Sequence, residues 1–61
     1  MDTRILKLPE VMRLTALSRS SLYSFIKDKT FPKPVPLGSR SVGWVEKEVA
    51  DWINQKAEMR R

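Results

Sequence analysis

The 61-residue sequence predicts a small α+β fold in which two short helices, a β-hairpin and a third helix follow one another. Three observations carry this expectation. Ser18 stands between two stretches with apolar residues at helical spacing, where a serine caps the start of a helix. Pro32, Pro34 and Pro36 alternate along one segment, which forbids a helix there. Acidic Glu46, Glu48 and Asp51 precede basic Arg60 and Arg61, the order that a helix dipole favours.

Arg4 to Leu8 is a short apolar stretch, too brief for periodicity to separate strand from helix. Pro9 biases Leu8 toward extended backbone and suits the first position of a helix, whose positive end Glu10 favours. A first helix is predicted over residues 9–15, with Leu8, Val11, Met12 and Leu14 as its buried face. Ala16-Leu17 makes a tight connection. Ser18 then caps a second helix, from Arg19 to about Lys29, by accepting from the N–H of residue 20 or 21. Leu22, Phe25 and Ile26 fall at i, i+3, i+4 and turn inward.

Phe31 to Leu37 is read as an extended strand. Its three prolines face one hydrogen-bonding edge without an N–H, while Lys33, Val35 and Leu37 keep their donors on the other, so it pairs on one side only. A polyproline ligand is the competing reading, but such ligands space their prolines as P-x-x-P. Gly38-Ser39-Arg40-Ser41 is a turn, and Val42-Gly43-Trp44-Val45 returns as the partner strand. The third helix runs from Glu46 to about Arg60, with Val49, Trp52, Ile53 and the Lys56 stem or Ala57 inward. Trp44 and Trp52 both sit in apolar patterns and are assigned to packing rather than to stacking on a ligand.

Composition narrows the function. The length sets a single domain, residues 1–61, with a thin core. There is no cysteine, hence no disulfide or thiolate ligand, and no histidine, the usual general base near neutral pH. No apolar run reaches the roughly 18 residues of a membrane span, and Asp2, Arg4 and Lys7 interrupt any signal-peptide-like start. A cytoplasmic module is expected. Two catalytic readings fail on chemistry. Ser20 or Ser24 with Lys27 would need a buried lysine of depressed pKa, and Glu48 with Asp51 is already accounted for by the helix dipole.

Of the net charge of +5, residues 19–43 hold +4: Arg19, Lys27, Lys29, Lys33 and Arg40 face Asp28 alone. That distribution is a polyanion-binding footprint. Helix, turn, helix, hairpin and helix together describe a compact winged helix-turn-helix, whose second helix enters the major groove of DNA. Its outward face would offer Arg19, Ser20, Tyr23, Ser24 and Lys27. Arg19 or Lys27 could read guanine, but phosphate contacts are the expectation, since half to two-thirds of such hydrogen bonds go to the backbone. Arg40, at the hairpin tip between Ser39 and Ser41, suits the minor groove, and Lys33 lies nearby. Lys29 is read as a complement to the negative end of the second helix.

The sequence resembles the AlpA-like family of small prophage regulators, within a larger MerR-like and excisionase-like group. The matching residues are Leu8-Pro9-Glu10-Val11, Leu17-Ser18-Arg19-Ser20-Ser21-Leu22-Tyr23, Phe31-Pro32-Lys33-Pro34-Val35, Leu37-Gly38-Ser39-Arg40-Ser41-Val42-Gly43-Trp44 and Glu48-Val49-Ala50-Asp51-Trp52-Ile53. Together they span nearly the whole chain. Ala16 departs from the glycine expected in the turn before Ser18. The resemblance implies double-stranded DNA binding, by a transcription regulator or by an excisionase, with no cofactor and no small-molecule substrate. Ser21, Ser39 and Ser41 complete the expected DNA-contacting set, and the resemblance strengthens the assignment of Arg40. A small protein-binding inhibitor or adaptor that sets the basic face against an acidic partner is the reading from a different class. A single module buries only about 600–1,000 Å² on DNA. Specificity is therefore expected to come from several copies, side by side on repeated half-sites and assembling only on DNA, because no long apolar stripe is evident.

Overall fold

The structure, a computed structural model, describes residues 4–60. Asp2, which interrupts a signal-peptide-like start, and Arg61, at the basic end of the third helix, lie outside the described residues. The elements are β1 (Ile5–Leu6), α1 (Leu8–Thr15), α2 (Arg19–Lys27), β2 (Val35–Pro36), β3 (Val42–Val45) and α3 (Glu46–Met59). This is the expected α+β winged helix-turn-helix order, with one strand added at the start.

That strand is β1. It pairs antiparallel with β3, Ile5 opposite Val45 and Leu6 opposite Trp44, and the Glu46 N–H donates to the Arg4 carbonyl at 2.8 Å. On the other side of β3, Val35 lies opposite Gly43 and Pro36 opposite Val42, giving the sheet order β1-β3-β2. β2 is thus an edge strand, as the prolines require, and Leu37 directs its N–H inward to the Ser41 carbonyl at 2.8 Å.

The pairing covers much less than Phe31–Leu37. Phe31 leaves the sheet and is buried, and two indoles fix the segment: Trp52 Nε1 donates to the Thr30 carbonyl at 2.6 Å and Trp44 Nε1 to the Pro32 carbonyl at 3.1 Å. These carbonyls find side-chain donors in place of a strand ladder. The Phe31 and Trp52 rings meet in a T-shaped arrangement, 4.9 Å between centroids.

α1 begins one residue before its expected start, at Leu8, because Lys7 is the extended N-cap residue and Glu10 Oε1 accepts from its N–H at 3.1 Å. Leu14 is not part of the buried face. With about 100° of turn per residue, Leu8, Val11, Met12 and Thr15 share one arc and Leu14 lies about 60° beyond Val11. Its side chain is 54% exposed. α2 also differs from expectation. It closes at Lys27 in a Schellman motif, the Lys29 N–H bonding the Ile26 carbonyl (3.0 Å) and the Thr30 N–H the Phe25 carbonyl (2.9 Å). Lys29 therefore sits past the helix in the left-handed region, φ 65°.

The core is Leu6, Val11, Leu22, Phe31, Trp44 and Val49, with Leu8, Met12, Leu17, Phe25, Ile26, Trp52 and Ile53 packed around it. Trp44 is fully enclosed, whereas Trp52 is half-buried and carries the Lys56 ammonium 5.4 Å from its ring centroid. Gly43, beside Trp44, is required by close approach. A Cβ there would press into the Ile5 side chain and meet Leu37 Cδ1 and the Leu6 carbonyl oxygen at 3.1 Å.

Ala16 closes α1 in the left-handed conformation, φ 61° and ψ 22°. An L-residue there costs roughly 1–2 kcal/mol, against about 0.5–1 kcal/mol for glycine's extra freedom when unfolded. Ala16→Gly is expected to stabilise the fold by about 0.5–1 kcal/mol, seen as a higher urea midpoint with unchanged slope. A lower midpoint would contradict this account of the turn.

Candidate nucleic-acid interface

α2 is positioned by its ends and by one face. At its start the Ser21 N–H donates to Ser18 Oγ at 3.2 Å, the predicted cap. Leu22 is fully buried, and Phe25 and Ile26 are partly buried against the core. The helix is consequently fixed in rotation, so its polar row cannot turn inward without expelling Leu22.

Ser20, Tyr23, Ser24 and Lys27 stand at i, i+3, i+4 and i+7 and form one exposed row opposite Leu22. Arg19 is exposed at the N-terminal flank of that row. Ser21 is exposed too, and its hydroxyl oxygen accepts from Ser18 Oγ at 3.1 Å. Tyr23 is 39% exposed, so its ring is partly packed.

The second group lies on the loop between β2 and β3. The Leu37–Ser41 hydrogen bond closes this loop, and Ser39, Arg40 and Ser41 are all exposed on it. Lys33 is exposed between two prolines just before β2. The structure does not bring the loop and the α2 row into hydrogen-bonded or ionic contact with each other. They are separate features carried by one core, α2 through Phe25 and the hairpin through Trp44.

Among the described residues the ion pairs are Arg4–Glu46 at 3.6 Å and Lys47–Asp51 at 3.3 Å, both exposed. Neither involves a basic residue of the 19–43 segment. Arg19, Lys27, Lys29, Lys33 and Arg40 are all exposed and unpaired in that sense, and the excess positive charge is turned to solvent. Charge presented this way acts on a polyanion over about 10 Å at 0.1 M salt. No helix among the described residues is long and apolar enough to cross a membrane.

A family model described as the prophage CP4-57 regulatory protein (AlpA) matches residues 4–57. The chain is 39% identical over 62 aligned positions to the DNA-binding transcriptional activator AlpA of Escherichia coli (strain K12), covering 92% of this chain and 89% of that protein. It is 46% identical over 50 positions to the uncharacterized protein ORF88 of Enterobacteria phage P4, covering 82% of this chain and 57% of that one.

Proposed function

The chain belongs to the AlpA family of prophage regulatory proteins, and from that membership we propose that it is a sequence-specific, double-stranded DNA-binding transcription regulator of prophage type. The observation that carries this reading is the uncompensated positive charge on two exposed features, the α2 row and the β2–β3 loop. α2 would lie in the major groove, where Ser20 and Ser24 act as short donors and acceptors, Tyr23 meets a phosphate or thymine methyl, and Arg19 and Lys27 hold phosphates. Arg40 would enter the adjacent minor groove, with Ser39, Ser41 and Lys33 on the backbone beside it. Ser21, exposed beside the row, would meet a phosphate through its own O–H, since accepting from Ser18 Oγ leaves that proton free to donate. The work of this domain is binding without a catalytic step, in the cytoplasm where the DNA is.

Titration with DNA flanking the protein's own gene, against unrelated duplex of equal length, tests the reading. Affinity should fall linearly on a log–log plot with salt and favour the flanking DNA. Equal affinity for both would remove sequence specificity, and saturable binding to a protein but not to DNA would overturn the reading altogether. Arg40→Ala is expected to weaken binding and reduce the magnitude of the salt slope by about 1, while the fold persists because a loop-tip side chain packs against little. An unchanged slope in a folded variant would take Arg40 out of the interface.

A further inference from the structure

Leu14, placed in the core by its spacing, is instead on the surface beside α3. Two shallow concavities meet at it. One is lined by Leu14, Val49, Ala50 and Ile53 together with Glu46 and Lys47. The other is lined by Leu14, Ile53 and Ala57, with Lys56 and Arg60 at its rim. Along α3 this groove reads Glu46, Ala50, Ile53 and Ala57, steps of four, three and four that keep one stripe on a helix, and Arg60 follows three residues on as the extended C-cap. Ala50, Ala57 and Arg60 are exposed, Glu46 and Ile53 partly so. The stripe is apolar in the middle, with the Glu46 carboxylate at one end, where Lys47 is engaged by Asp51, and Arg60 just beyond the other.

That distribution is self-complementary when turned end over end. Glu46 and Arg60 are equidistant from Ile53, and Ala50 and Ala57 are nearly so. An antiparallel α3 from an identical chain would set Ile53 against its own copy on a two-fold axis. It would also lay Ala50 beside the partner's Ala57 and bring Glu46 to the partner's Arg60. A parallel arrangement would instead oppose like charges at both ends. Antiparallel helix dipoles favour the same choice. Glu46 already has Arg4 at 3.6 Å but keeps a partly exposed carboxylate able to accept a second cation.

We propose that a second copy of this chain docks on the α1–α3 groove, α3 against α3 in antiparallel register about Ile53. This goes beyond the DNA-binding reading and is tested without DNA. α3 is only about 20 Å long, so the interface falls short of the roughly 1,600 Å² of a standard stable complex, and association is weak and concentration-dependent. A two-fold pair presents its two α2 helices in opposite senses, which calls for inverted half-sites and replaces the expectation of side-by-side repeats.

The chain has no cysteine, so introduced cysteines report one contact at a time. Under mild oxidation Ile53→Cys should form a disulfide-linked dimer much faster than Gln55→Cys, which lies on another side of α3. Ala50→Cys and Ala57→Cys should cross-link slowly alone and rapidly when mixed. Fast homodimers of either would show a parallel pairing and overturn the register. Because Ile53→Cys also removes partly buried volume, sedimentation equilibrium of charge variants at the two ends of the groove supplies an independent measurement. Glu46→Arg and Arg60→Glu should each weaken association roughly two- to fivefold, and the two together should restore it. A strictly monomeric wild-type chain at every concentration, or failure of the double reversal to recover association, would overturn the proposal whatever the chain does on DNA.

Discussion

Trp44→Ala is expected to leave the chain largely unfolded at 37 °C. The indole is fully enclosed, opposite Leu6 on β1, and its N–H holds the Pro32 carbonyl at 3.1 Å. Removing a buried tryptophan costs about 3–5 kcal/mol through lost transfer and the cavity left behind. A domain of this size has only about 3–9 kcal/mol to lose. The damage would also spread, since losing the indole frees the proline-rich segment that carries Lys33 and leads into β2. DNA binding should vanish only as a consequence of unfolding. Trp44→Phe, which retains much of the apolar volume but not the N–H, should fall between the two. Thermal unfolding followed by circular dichroism decides the matter: a cooperative transition within a few degrees of wild type would mean that Trp44 does not hold the sheet to the helices.

Features that a few neighbouring residues determine were legible without coordinates. The Ser18 cap follows from one hydroxyl and the N–H three residues on, and the edge position of β2 from donors that proline lacks. The α2 row followed from helical period once Leu22 was placed inside. Other features depend on partners distant in sequence. β1 is two residues long, too short to show a period, and is a strand only because β3 lies alongside it. Leu14 satisfied the apolar pattern of α1, yet the face that pattern buries was set by where β3 and α3 pack. Lys29 resembled a charge complementing a helix end, and instead occupies a left-handed position that sequence would assign to glycine or asparagine. Within the candidate site, Ser18 Oγ donates to the Ser21 hydroxyl, which sets Ser21 apart from the unengaged Ser20 and Ser24, a distinction invisible in a run of serines.

Ser24→Glu is expected to abolish specific DNA binding while leaving the fold intact, the largest functional effect of any single exposed change on α2. Ser24 lies in the middle of the outward row, its side chain exposed and making no hydrogen bond among the described residues. Its carbonyl accepts from the Asp28 N–H at 3.0 Å, a backbone bond that a new side chain leaves untouched. Glutamate is a better helix former than serine, and repulsion from Asp28 at i+4 is offset by Lys27 at i+3, so stability should change by no more than about 0.5 kcal/mol. On DNA the new carboxylate would face a surface carrying one negative charge per about 1.7 Å of axis. Like charges brought together at an interface cost several kcal/mol, which corresponds to a loss of roughly a hundredfold or more in affinity. Ser24→Ala removes only a neutral hydrogen bond and should cost about tenfold at most. Asn54→Glu on α3 lowers the net charge by the same amount and separates a general electrostatic loss from a local clash. Binding of Ser24→Glu as tight as that of Asn54→Glu, measured at one salt concentration on the same duplex, would mean that the α2 row does not face the DNA.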